Sequence, residues 1–191
     1  MNTHGNSTLF DIHTLHQGKV SDKWERYLYE YDSVLSTYRN KNINLLEIGI
    51  QNGGSLEVWS KYFNNANLLI GCDIDMNCLN LQYEEPCIKV VVGDATQEKT
   101  KKEVFNYTNE FDIVIEDASH FSNHIIKAFV DFFPKIKDGG IFIAEDLHCS
   151  YWKDWEGGLY DPYSSLSFFK LLVDIINFEH WGVNKKRISI L

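Results

Sequence analysis

What the sequence lacks sets the first bounds. It carries 3 prolines in 191 residues and has no repeat, low-complexity tract or Pro/Gly-rich linker, which excludes a tether or a repeat array. Its four cysteines, Cys72, Cys78, Cys87 and Cys149, form no CxxC pair. They read as reduced and structural, not as a zinc or redox motif. No uninterrupted apolar run approaches the roughly 20 residues of a membrane-spanning helix. The opening "MNTHGNSTLF" lacks the charged start and apolar stretch of a signal peptide, so the expected location is cytoplasmic. Positive charge is scarce. Lys and Arg number 18 against 27 Asp and Glu, a net charge of −9, and that balance attracts neither nucleic acid nor an anionic membrane.

Hydrophobic residues, at 44%, are ample for one domain with its own core. The expectation is a single domain over 1–191, with a helical segment at 1–40 and an α/β core over 41–191. Strand-like and helix-like stretches alternate. A helix is predicted over 21–38, with Ser21 as N-cap and Trp24, Leu28, Tyr31, Val34 and Leu35 at helical spacing. Strands are predicted at 45–50, 67–75, 88–94, 111–117 and 141–146. Helices are predicted at 54–63, 97–107, 122–136 and near 165–179, with a turn at Lys137-Asp138-Gly139-Gly140. Strands apolar on both faces, alternating with helices, predict a doubly wound, mostly parallel α/β sheet covered on both sides. "KKRISIL" at 185–191 starts like a sixth strand and stops. The C-terminal strands therefore look incomplete, with a longer polypeptide or a homo-oligomer expected to cover that edge.

In such sheets ligands bind at the carboxyl ends of the strands, and that is where the ionisable residues gather. The first strand ends in "LLEIGIQNGGS", whose glycines Gly49, Gly53 and Gly54 suit a sharp turn and close approach to a ligand. The second ends at Asp73 or Asp75, where a carboxylate can accept the hydroxyls of a ribose. The third ends in Gly93-Asp94-Ala95, an acid and a backbone N–H that can meet the amino edge of adenine. The fourth and fifth run into "IVIEDASH" (113–120) and "IFIAEDLH" (141–148). Adjacent strands lie about 4.8 Å apart, so Asp117 and Asp146 can converge on one divalent cation, and all-oxygen ligation favours Mg²⁺. Glu145 is a third candidate ligand. Neighbouring residues of a strand point to opposite faces, so Glu145 and Asp146 both ligate only if the strand has already ended.

Over 44–147 the sequence resembles the class I S-adenosylmethionine-dependent methyltransferases: "LEIGIQNGGS", "GCDID", "VVGDA" and "FDIVIEDASH" stand where that family keeps its successive motifs. The resemblance implies a Rossmann-like methyltransferase fold and S-adenosylmethionine as cofactor. Glu47, Gly49 and Ser55 would hold its methionine end, Asp73 its ribose, and Asp94 with Ala95 its adenine. "IEDASH" and "AEDLHCSYW" are similar more narrowly to metal-dependent sugar O-methyltransferases of the macrolide-tailoring type. That similarity implies Asp117 and Asp146 as metal ligands and His120 as catalytic base, with His124 and His148 as alternates. The expected reaction is Mg²⁺-dependent methylation of a hydroxyl on a sugar or glycoconjugate. Tyr151, Trp152, Trp155 and Tyr160 offer aromatic faces of the kind a sugar prefers. A catechol-type small-molecule O-methyltransferase and a non-catalytic, methyltransferase-like assembly module are the alternatives.

Overall fold

The computed structural model describes residues 7–182. The chain divides into two compact units. One comprises the chain up to Ser119 together with Lys127–Glu145, the other His120–Ile126 and the chain from Asp146 onward.

The first unit is built on a sheet of five parallel strands, β1 (Asn44–Ile48), β2 (Leu68–Asp73), β3 (Ile88–Val92), β4 (Phe111–Glu116) and β5 (Ile136–Ala144), in the order β3-β2-β1-β4-β5. Helices connect them: α3 (Gly54–Tyr62), α4 (Glu98–Phe105) and α5 (Ser122–Phe132), preceded by α1 (Leu9–Thr14) and α2 (Glu25–Leu35). Two apolar layers form, because the strands are apolar on both faces. Leu45, Ile113 and Ile115 pack with Leu28, Leu35, Leu56 and Trp59 in one layer, and Leu46, Ile70 and Val114 pack with Val104, Ala128 and Phe132 in the other. The chain leaves β1 toward β2 on one side and returns through β4 toward β5 on the other, so the topological switch point lies between β1 and β4. That is where open α/β sheets bind ligands.

The predicted alternation holds, with β1, β2 and β3 each ending two residues earlier than predicted and with further differences. α1 was not expected; Thr8 caps it, accepting from Asp11 N–H while the Asp11 carboxylate accepts from Thr8 N–H. The predicted 21–38 helix starts at Glu25, with Trp24 rather than Ser21 at the N-cap. The turn expected at 137–140 lies inside β5, where the pairing slips from Phe111↔Ile136 to Ile113↔Ile141. Asp138 and Gly139 are exposed there, and Gly139 (φ +79°) takes the left-handed conformation glycine favours. Finally, β5 stops at Ala144, two residues short of the predicted end. The predicted strand at 185–191 lies outside the described residues.

The second unit holds the start of α5, two 3₁₀ turns (Leu147–Tyr151 and Lys153–Trp155) and α6 (Ser165–Ile176), which Ser164 caps by accepting from Ser167 N–H. The Ser150 and Ser165 hydroxyls hydrogen-bond at 2.5 Å, and the Asn123 N–H donates to Glu156 at 3.2 Å. No helix among the described residues is long and apolar enough to cross a membrane.

Candidate active site

The turn after β1 is fixed by backbone hydrogen bonds and by one carboxylate. The Gly49 N–H donates to the Cys72 carbonyl (2.8 Å) and the Asp117 N–H to the Ile48 carbonyl (2.8 Å), drawing the ends of β2, β1 and β4 together. Gly49 has φ +90°, and a Cβ there would stand 2.1 Å from the Asp117 carbonyl oxygen. Any side chain at this position would push β1 and β4 apart at the switch point.

Asp73 closes the turn. Its Oδ2 accepts from Ile50 N–H and Gln51 N–H, both at 2.8 Å, and its Oδ1 accepts from Asp75 N–H at 2.9 Å. A carboxylate offers about four lone-pair directions. Three are taken, which leaves the carboxylate one open direction. Asp75 accepts from Asn77 N–H and caps the following 3₁₀ turn. Asp94 accepts from Thr96 N–H at 2.8 Å, and Ala95 beside it is buried.

Glu47 is fully buried in β1. Its Oε2 accepts from the Ser55 hydroxyl (2.6 Å) and the Trp59 indole N–H (3.2 Å), and its Oε1 lies 3.2 Å from the Lys23 ammonium. Burial pushes the Glu47 carboxyl above its ordinary range, while Lys23 and Ser55 pull the other way. Glu47 and Ser55 thus meet as the sequence suggested, although the Ser55 hydroxyl is committed to Glu47.

The acids after β4 and β5 have a partner that the sequence did not reveal. Lys23, 5% exposed, donates from Nζ to Asp117 Oδ2 at 2.6 Å and to Glu145 Oε1 at 2.7 Å. Glu145 Oε1 also accepts from the buried Tyr31 hydroxyl. Burial works against the Lys23 charge, but Glu47, Glu145 and Asp117 outweigh it and raise the ammonium's pKa. The three acids share this one cation, so each is also repelled by the others. Burial, and less strongly Asp117, push the Glu145 carboxyl up against the pull of Lys23. Glu116, 1% exposed, has its carboxyl pushed up to about 8, first by burial, and its Oε2 has no hydrogen-bond partner among the described residues. Nothing in the local pattern marked Lys23: it stands in a polar lead-in before α2, and Tyr31 reads there as an ordinary core residue.

In the second unit His120 and Asp146 lie side by side, with His120 Nε2 3.7 Å from Asp146 Oδ2. Both take left-handed backbone angles, φ +59° and +52°, which non-glycine residues adopt at a cost of about 1–3 kcal/mol each, a strain that clusters at functional sites. The left-handed turn also resolves the two-face problem: Asp146 lies beyond the end of β5, so alternation no longer governs it. His120 Nδ1 is buried and has no hydrogen-bond partner among the described residues. His148 Nδ1 is 3.9 Å from Asp146 Oδ1, and its ring packs edge-on against Trp152, which packs against Trp155. His124 packs its ring against Phe121. His120 Nε2 and Asp146 Oδ2, both in the second unit, are donor atoms of the kind that hold a metal ion.

No family model matches the chain. The chain is 34% identical over 164 residues to 8-demethyl-8-alpha-L-rhamnosyl tetracenomycin-C 2'-O-methyltransferase of Streptomyces olivaceus, covering 81% of this chain and 42% of that protein. It is 35% identical over 178 residues to demethylmacrocin O-methyltransferase of Streptomyces fradiae, covering 86% and 44%. These sugar O-methyltransferases are its homologues. Among solved structures, the MycE methyltransferase of the mycinamycin biosynthetic pathway, in complex with Mg and SAH, superposes with a TM-score of 0.79 at 26% identity, covering 95% of this chain and 49% of that one. The fold is the Rossmann-like fold of class I methyltransferases. The chain spans less than half the length of the two curated relatives.

Proposed function

We propose that this chain carries the catalytic core of a Mg²⁺-dependent O-methyltransferase that moves a methyl group from S-adenosylmethionine to a hydroxyl of a sugar or glycoconjugate, as one methyltransferase domain. The observation that carries this reading is the His120–Asp146 pair, two polar residues held in left-handed backbone at 3.7 Å. The homologues are all named O-methyltransferases, and one is named for a rhamnosyl compound, which supports the acceptor class. A cytoplasmic setting suits a cofactor and an acceptor of this kind.

S-Adenosylmethionine would lie across the ends of β1–β3, with Gly49 and the Glu47–Ser55 pair toward the methionine, Asp73 toward the ribose, and Asp94 with Ala95 toward the adenine. The residues fit a divalent cation: oxygen donors from Asp117 and Asp146 suit Mg²⁺, with Glu145 as the third acid of the set. When bound, the cation lowers the pKa of an acceptor hydroxyl and fixes its oxygen. His120 acts as general base. Its Nε2, beside Asp146, is the nitrogen that takes the hydroxyl proton. Asp146, beside Nε2, then stabilises the imidazolium. The exposed rings of Tyr151 and Trp152, with Trp155 beside them, present faces on which a sugar can stack.

Methyl transfer from labelled S-adenosylmethionine to a panel of sugar nucleotides and glycosylated macrolides, with and without chelator, tests the proposal. Transfer that survives exhaustive chelation rejects the metal. A folded chain that gives no heat with the demethylated cofactor in calorimetry rejects the cofactor site. His120→Ala is expected to lower kcat about 10²–10⁴-fold with cofactor affinity retained, and a near-normal kcat rejects His120 as the base.

A further inference from the structure

Lys23 is drawn to the oxygens that the proposed metal would use. An ammonium has three N–H donors and no acceptor, and the side chain meets three carboxylates: Asp117 at 2.6 Å, Glu145 at 2.7 Å and Glu47 at 3.2 Å. With Lys23 and Glu145 each 5% exposed, water does little to weaken the interaction. The acids are also held from behind. Glu145 Oε1 accepts from Tyr31, and Glu47 Oε2 accepts from Ser55 and Trp59. Lys23 therefore sits in a socket shaped for one positive charge, not on a chance surface pair.

We propose that Lys23 is a resident cation of this strand end. It holds Glu145 and one oxygen of Asp117 away from the divalent ion, so metal binding and withdrawal of the Lys23 ammonium are coupled. Lys23 is a positioning residue in this scheme: it decides which oxygens are offered to the metal and takes no part in proton or methyl transfer. Two cations cannot share Asp117 and Glu145 without mutual repulsion, so each weakens the hold of the other. The lead-in to Lys23 is anchored four residues earlier, where Lys19 donates from its backbone N–H (2.8 Å) and from Nζ (2.5 Å) to Glu57. The carbonyls of Lys19 and Val20 also lie so close to Gly54 that a Cβ there would stand 2.2 Å and 2.3 Å from them. Withdrawal of Lys23 is thus a movement of the side chain, with its backbone held.

This inference rests on the metal reading above, and its test separates the two. Mn²⁺ is titrated into the full chain with no acceptor present, and free Mn²⁺ is read by electron paramagnetic resonance for wild type, Lys23→Met and Asp146→Asn. Lys23→Met is expected to bind Mn²⁺ at least tenfold tighter than wild type, and Asp146→Asn at least tenfold weaker. In wild type, Mn²⁺ is expected to raise acetylation of Lys23 by an amine-reactive reagent, read by peptide mass spectrometry, and to leave Lys19 unchanged. Affinity equal to or below wild type in Lys23→Met, with binding still lost in Asp146→Asn, overturns the role of Lys23 and leaves the metal site standing. No Mn²⁺ binding by wild type and Lys23→Met alike overturns both. Should Lys23→Met fail to fold, the wild-type labelling decides alone: Lys23 acetylation that Mn²⁺ does not change overturns the inference.

Discussion

The two halves of the sheet end in acids, and they satisfy them in different ways. On the β2–β3 side Asp73 and Asp94 are taken up by nearby backbone N–H groups, from Ile50, Gln51 and Asp75 for the first and Thr96 for the second. On the β4–β5 side Asp117 and Glu145 face a single ammonium from a residue 94 and 122 positions away. The first arrangement builds a rigid loop. Its donors are neutral peptide groups, so it leaves negative charge in place for the hydroxyls and amino edge of a cofactor. The second concentrates charge around one cation. Removing a partner there strands charge in a buried site, whereas removing a carboxylate on the other side only unties a loop.

That contrast predicts a ranking of effects. Lys23→Met, measured by urea unfolding with chelator present, is expected to cost about 3–5 kcal/mol, because it leaves buried acids without their cation. A loss below about 1 kcal/mol, the ordinary worth of an exposed pair, would show that water already neutralises the cluster and would break the comparison. Asp73→Ala should cost less, about 1–3 kcal/mol from stranded backbone donors, and should weaken binding of the demethylated cofactor in calorimetry. Full stability with lost binding would assign Asp73 to the ligand alone.

The pair between Lys19 and Glu57, at 2.5 Å and partly exposed, gives a pH test. Burial pushes the Glu57 carboxyl up, but the hydrogen bonds from Lys19 outweigh it and hold its pKa below the ordinary 4.5. The folded value is the lower one, so the stabilisation is fully present above pH 4.5 and is lost as pH falls through the folded value. Glu57→Gln should flatten that acid-side slope by under about 1 kcal/mol, and an unchanged slope in thermal melts would remove the pair from the account. The smallest effect concerns thiols. Burial, then Asp73 and Asp94, pushes Cys72 up to about 12. Native alkylation at pH 8 should therefore label the half-buried Cys87 first and Cys72 last. Early labelling of Cys72 would mean that its burial at the end of β2, the larger cause, does not hold in solution.

Much of the fold was legible because period and composition act locally. Apolar runs such as Leu45-Leu46 and Ile113-Val114-Ile115 read as doubly buried strands, and right-handed crossovers leave few ways to order them. The errors fell where local signals are weak. Gly139 and Gly140 looked like a turn because a bulge and a turn call for the same residues. Ser21 looked like an N-cap, but the lead-in stays out of the helix up to Trp24 and places Lys23 among acids from three strand ends. At the site, the sequence singled out Asp117 and Asp146 from their place at neighbouring strand ends, and His120 from the resemblance of "IEDASH" to the sugar O-methyltransferases. It carried no sign that Asp73 has one lone-pair direction left to offer, because that depends on which backbone donors turn toward it.

The sequence alone determined the layered α/β sheet, the placement of acids at the strand ends and the methyltransferase motifs, because each is written in residues within a few positions of one another. Only the tertiary structure decided which cation those acids meet. Lys23 and Tyr31 are joined to Glu145 across more than a hundred residues of chain. A contact of that kind depends on how the α2 lead-in crosses the strand ends, which no local pattern encodes.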